Sequence, residues 1–215
     1  MLVSYRNNFL FVHVPKTGGT SVRHALRKYR HNPDIFRINQ TLACFGIEVN
    51  HFSRDFRKLK FRAHERADRI ADVMPDEIFQ RLFKFAFVRN PWDLIASLYK
   101  FIRKTPSHKR HRLVNRMSFP EFIDYALFKQ LCHQKRLLTD QNGNLLVDFV
   151  GRFENLESDF AQVARQLQLD AKIPHLNQTN PSAYQDFYDE NLRAKVSSAY
   201  RDDIEQFQYE FSRAA

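Results

Sequence analysis

The chain has little of what several protein classes are built from. With 5 Gly and 8 Pro in 215 residues and no internal repeat, it is not a collagen-like, linker-rich or repeat chain. Its two cysteines, Cys44 and Cys132, lie far apart and in no metal-ligand spacing, which excludes a disulfide-dense scaffold. Reduced thiols are the plain reading, with one disulfide as the alternative. No apolar run approaches the ~18–20 residues of a membrane span. The start MLVSYRNN carries no signal-peptide core, because the apolar run FLFVHV after it is too short. A cytoplasmic protein without a transmembrane segment is the expectation. Acidic residues are also few: 24 Asp and Glu face 34 Lys and Arg, a formal charge of +10, which favours an anionic ligand or partner. Phenylalanine, by contrast, is abundant. Its 21 copies, within 43% hydrophobic residues, argue against disorder and for thick aromatic packing between layers.

Hydrophobic patterning divides the chain into alternating strands and helices. Phe9–Val14 and Lys84–Val88 are near-continuous apolar runs, as in strands buried on both faces of a parallel sheet. Lys60–His64 reads as a further strand that delivers His64 to its end, and Leu145–Phe153 as another. Helices are expected over Ser21–Tyr29, Ala67–Met74 and Pro91–Arg103, the last burying Leu94, Leu98 and Phe101, with a turn or helix over Pro75–Leu82. Others follow Ser118, which opens a capping box with Glu121, and Asn155, a helix cap. Glu190–Phe207 reads as one or two amphipathic helices. Residues 103–116 (RKTPSHKRHRLVNR) form a basic segment interrupted by Pro106 and read as a mobile surface loop. The expected fold is α/β: a single domain over 1–215 with a mainly parallel central sheet flanked by helices.

Chemistry concentrates where the first strand ends. Lys16–Ser21 (KTGGTS) is a polar glycine loop between a strand and a helix, a P-loop-like arrangement that suits a phosphate-like anion. Gly18 and Gly19 allow close backbone approach, the amides of Gly19–Ser21 can face the anion, Thr17, Thr20 and Ser21 add hydroxyls, and Lys16 adds charge. A Walker A loop carries its lysine after the last glycine, followed by a metal-holding Ser or Thr. Here the lysine comes first, which disfavours a metal-dependent kinase.

The stretch His13–Ser21 (HVPKTGGTS) resembles the 5′-phosphosulfate loop of sulfotransferases that use 3′-phosphoadenosine-5′-phosphosulfate (PAPS). The nearest group is the carbohydrate enzymes of the heparan 2-O- and chondroitin/dermatan type, with their soluble bacterial relatives. Phe85–Trp92 (FAFVRNPW), continuing to Ser97, resembles that family's second motif. The resemblance implies that Arg89 and Ser97 bind the donor's 3′-phosphate, a role that suits the rigid guanidinium fork. Leu94 departs from it, since relatives often carry a basic residue there. The resemblance further implies that His64, in Phe61–Arg66 (FRAHER), is the general base, with neighbouring Glu65 the second candidate. Its later stretches include Val147–Leu156, where Arg152 meets either the nucleotide or a neighbouring carboxylate.

The implied reaction moves a sulfuryl group from PAPS to an acceptor hydroxyl, on a saccharide or glycan, with Lys16 stabilising the leaving oxygen and no metal or nucleic acid required. The alternatives are an atypical nucleotide kinase or phosphotransferase and a non-catalytic anion-binding module.

Overall fold

Side chains alternate along a strand, so Phe9 and Phe11 in one strand and Phe83, Phe85 and Phe87 in the next share a face. In the computed structural model, which describes residues 1–30, 61–173 and 184–211, these rings pack edge and face against one another. Phe11 stacks on Phe85 at 5.3 Å, and Phe9 tilts against Phe85 at 6.1 Å. The sheet has four strands in the order β1 (Leu2–Ser4), β2 (Phe9–Val12), β3 (Phe83–Val88) and β4 (Phe149–Arg152). β1 runs antiparallel to β2, whereas β2, β3 and β4 are parallel. The mainly parallel α/β sheet expected from sequence is therefore present. β1 adds an edge strand that three residues of LVS were too short to announce.

Helices α1 (Gly19–Ala25) and α8 (Leu156–Gln166) cover the phenylalanine face through Val22, Leu26, Phe160 and Val163. Each fully buried ring contributes roughly 1.5–3 kcal/mol by leaving water. Between them in sequence lie α2 (Ala67–Val73), α3 (Asp76–Arg81), α4 (Pro91–Lys104), α5 (His111–Val114), α6 (Phe119–Phe128) and α7 (Lys135–Leu138). The chain ends in α9 (Glu190–Ala199) and α10 (Arg201–Phe207).

The described residues form two compact units, each drawn from separate stretches. One comprises parts of Met1–Val88 and Arg136–Pro174 and holds the sheet; the other comprises parts of Arg89–Lys135 and His175–Ala215 and is helical. In the helical unit α4 starts cleanly because Pro91 occupies its first turn and the Asn90 side chain accepts from the Trp92 amide at 3.1 Å. The Ser118–Glu121 capping box on α6 forms as expected.

Several expectations change. Residues 63–64 are a turn and 61–62 have no regular structure, so among the described residues no strand leads into His64; Lys60 lies outside them. β4 begins at Phe149, not Leu145; Asp148 precedes it and ties back to Lys84 across the sheet. The Asn155 side chain makes no capping bond. Phe101 is 40% exposed rather than buried. The basic segment is folded: it contains α5, Arg110 Nε donates to the Tyr125 hydroxyl at 3.0 Å, and His111 Nδ1 meets the Ile102 carbonyl at 2.9 Å. Ile35–Ile38 and Gly46–Val49, two stretches whose sequence also suits short strands, lie outside the described residues, as does Cys44. Among the described residues no helix is long and apolar enough to cross a membrane.

Candidate active site

In the sheet unit the loop after β2 leads into α1. Thr17 is fully buried and its hydroxyl donates to the Val14 carbonyl at 3.0 Å, so it closes the loop from within. Gly18 has φ 76°, a left-handed conformation that costs a side chain energy. A Cβ there would also lie 2.6 Å from Leu156 Cδ2 and 3.2 Å from Phe153 Cδ2. The turn after β4 thus packs directly on the loop. Lys16 is left-handed too, at φ 64°, a strain of about 1–2 kcal/mol for a residue with a Cβ. Strain of this kind clusters at functional sites.

The Ser21 and Val22 amides both bond to the Gly18 carbonyl, at 2.9 and 3.2 Å. Among the described residues no backbone carbonyl accepts from the amides of Gly18, Gly19 or Thr20. Of the amides of Gly19–Ser21, that of Ser21 is thus engaged within the turn.

Two histidines meet beside this loop. His64 Nδ1 lies 2.8 Å from the His13 carbonyl, and the two rings are 4.3 Å apart at 56°. A carbonyl only accepts, so Nδ1 carries the proton and the neutral His64 ring keeps a lone pair on Nε2. Burial of the inner side of the ring lowers the His64 pKa; the hydrogen bond to His13 opposes this, and the N-terminal ammonium and Arg23 add to it. The outer part of His64 is exposed, which limits the desolvation. Glu65 accepts from the Arg62 amide at 3.2 Å, an engagement within its own turn. Arg152 ends β4, where its amide donates to Asp159 at 2.7 Å.

In the helical unit Arg89 and Ser97 come together. Arg89 Nη1 donates to Ser97 Oγ at 3.0 Å, and Nε pairs with Asp93 at 2.7 Å. Asp93 and Ser97 are four residues apart on one stripe of α4, so the guanidinium lies along the first two turns. Its main chain is clamped as well. The fully buried Gln134 side chain accepts from the Arg89 amide and donates to the Arg89 carbonyl, both at 2.8 Å. Asp203, 1% exposed, accepts from the Gln134 and Lys135 amides at 2.8 Å. Burial pushes its carboxyl up to about 6 against the pull of those amides. Sequence reasoning missed Asp93, Gln134 and Asp203. Asp93 was within reach, as an acid four residues after an arginine. Gln134 and Asp203 act across 45 and 69 residues, with no local pattern to flag them.

The chain belongs to the sulfotransferase family, whose model matches residues 1–210. It is 28% identical over 190 residues to carbohydrate sulfotransferase 14 of Mus musculus, a match covering 76% of this chain and 45% of that protein. The chain thus spans less than half of that relative's length. An uncharacterized protein of Archaeoglobus fulgidus is 31% identical over 103 residues, covering 45% of this chain and 77% of that one. Among solved structures, mouse sulfotransferase SULT7A1 complexed with PAP aligns over 99% of this chain and 70% of its own, at TM-score 0.40 and 14% identity.

Proposed function

We propose that this chain transfers a sulfuryl group from PAPS to a hydroxyl of a carbohydrate acceptor, without a metal ion. Beyond family membership, the observation that carries this reading is the hydrogen bond from His64 Nδ1 to the His13 carbonyl. It fixes the tautomer, so that the ring, when neutral, presents Nε2 as a proton acceptor, the state a general base requires. As the acceptor oxygen bonds to sulfur, its proton passes to Nε2. The bond from sulfur to the 5′-phosphate oxygen breaks, and negative charge collects on that oxygen. Lys16 and the amides of residues 18–20 offset this charge. Arg89 with Ser97 is assigned to the 3′-phosphate, and Asp93 holds the guanidinium in the orientation that recognises it.

Adenosine 3′,5′-bisphosphate is expected to raise the melting temperature, whereas ATP with Mg²⁺ does so less. The opposite preference would select a kinase. Lys16→Ala is expected to lower kcat by about 100-fold or more while unfolding at the wild-type temperature, and EDTA should leave turnover unchanged. Wild-type sulfate transfer from labelled PAPS by Lys16→Ala would sink the assignment.

A further inference from the structure

We propose that His13 is a positioning residue that registers the glycine loop to the base: its ring fills the space over Gly19, and its main-chain carbonyl holds His64 by Nδ1. The proposal rests on the reading of His64 as base and extends it to a residue that touches neither donor nor acceptor.

Position 13 follows β2 directly, where the apolar run FLFV would continue well with another apolar side chain. An imidazole stands there instead, 7% exposed and stacked on Phe11 at 5.7 Å. Its Nδ1 is buried and has no hydrogen-bond partner among the described residues. Such an orphaned polar atom costs about 1–3 kcal/mol. Burial holds its pKa far below the ordinary value, with the N-terminal ammonium, His64 and Arg23 acting in the same direction. The ring therefore stays neutral and works by shape. Core stability does not explain it.

Shape does. A Cβ at Gly19 would overlap Cδ2 and Nε2 of His13 and come within 3.0 Å of Cε1. Gly19 has no left-handed φ that would call for glycine, and the His13 ring leaves no room for a side chain there. The opposite side of the pair is His64, 4.3 Å between centroids. One five-membered ring thus sits between the loop that faces the donor and the ring that takes the proton. A six-membered ring would reach further into Gly19, and an aliphatic chain would leave His64 without a flat neighbour.

Two readouts test this. Gly19→Ala is expected to lower the melting temperature, and His13→Ala in the same chain is expected to restore most of the loss, because the new methyl enters the vacated space. A double variant no more stable than the additive sum would overturn the contact. The second readout is ¹⁵N NMR of His64 with kinetics on His13→Leu. The His64 pKa is expected to fall further as the His13 carbonyl bond that raises it is loosened, kcat to fall about 10- to 100-fold, and the acid limb of the pH–rate profile to move with the NMR pKa. The KM for PAPS should change far less. An unchanged His64 pKa and kcat would overturn positioning. A pKa that moves while the acid limb stays fixed would instead remove His64 as the base, and with it this proposal.

Discussion

At the scale of residues, the His13–His64 pair makes a testable statement about protons. The folded pKa of each lies below the unfolded value of 6.5. Between the folded and unfolded values the unfolded chain binds more protons than the native one, so stability falls as pH drops below 6.5. Activity follows the same groups. We expect kcat/KM to rise with pH through an apparent pKa below 6.5 and to be level at neutrality; an acid limb above 6.5 would contradict a partly desolvated His64 as base. The sequence made His64 and the glycine loop legible because those residue types sit in a short, ordered run. It misjudged how His64 is held. A strand was expected to present it, yet a turn does so, and the hydrogen bond that fixes its tautomer comes from a carbonyl 51 residues earlier. Main-chain acceptors have no residue type and leave no mark in a sequence.

At the scale of elements, α4 shows how a helix start, here proposed as the 3′-phosphate site, takes its support from elsewhere. Asn90 and Pro91 stop and start the helix, and both were readable. Arg89 itself lies outside the helix, and its backbone amide and carbonyl are satisfied by one buried side chain, Gln134. Gln134→Leu strands both groups, at about 1–3 kcal/mol each. The expected result is a protein several degrees less stable whose KM for PAPS rises about 10-fold, with kcat changed much less, as measured by steady-state kinetics with PAPS varied. An unaltered KM would show that the clamp serves folding only. The polar run around Gln134 (CHQK) carries no sign of burial in sequence, because burial of its amide depends on distant partners, here Arg89 and Asp203.

At the scale of the whole molecule, neither unit is a continuous stretch. The boundary after Val88 divides the second motif itself: the strand FAFV belongs to the sheet unit and Arg89 to the helical one. Alternating strand and helix signals correctly implied an α/β sheet. They carried no information on how separate segments of chain would be shared between units, since that depends on long-range pairing. A chain truncated after Lys135 lacks β4 and α8, and so half of what packs on the phenylalanine face. It is expected to lose cooperative thermal unfolding. A sharp transition in that truncated chain, seen by circular dichroism, would contradict the division described.

The same late strand bears on how the protein is made. β1, β2 and β3 leave the ribosome well before the four residues of β4, and N-terminal segments fold first. Until then the outer edge of β3 presents unpaired amides and carbonyls on an apolar strand, a template for a neighbouring chain. Soluble yield should therefore depend on how long that edge stays open, rising with slower synthesis at low temperature or with chaperones that shield the nascent chain. Phe149–Arg152 decides whether a new chain completes its own sheet or joins another's.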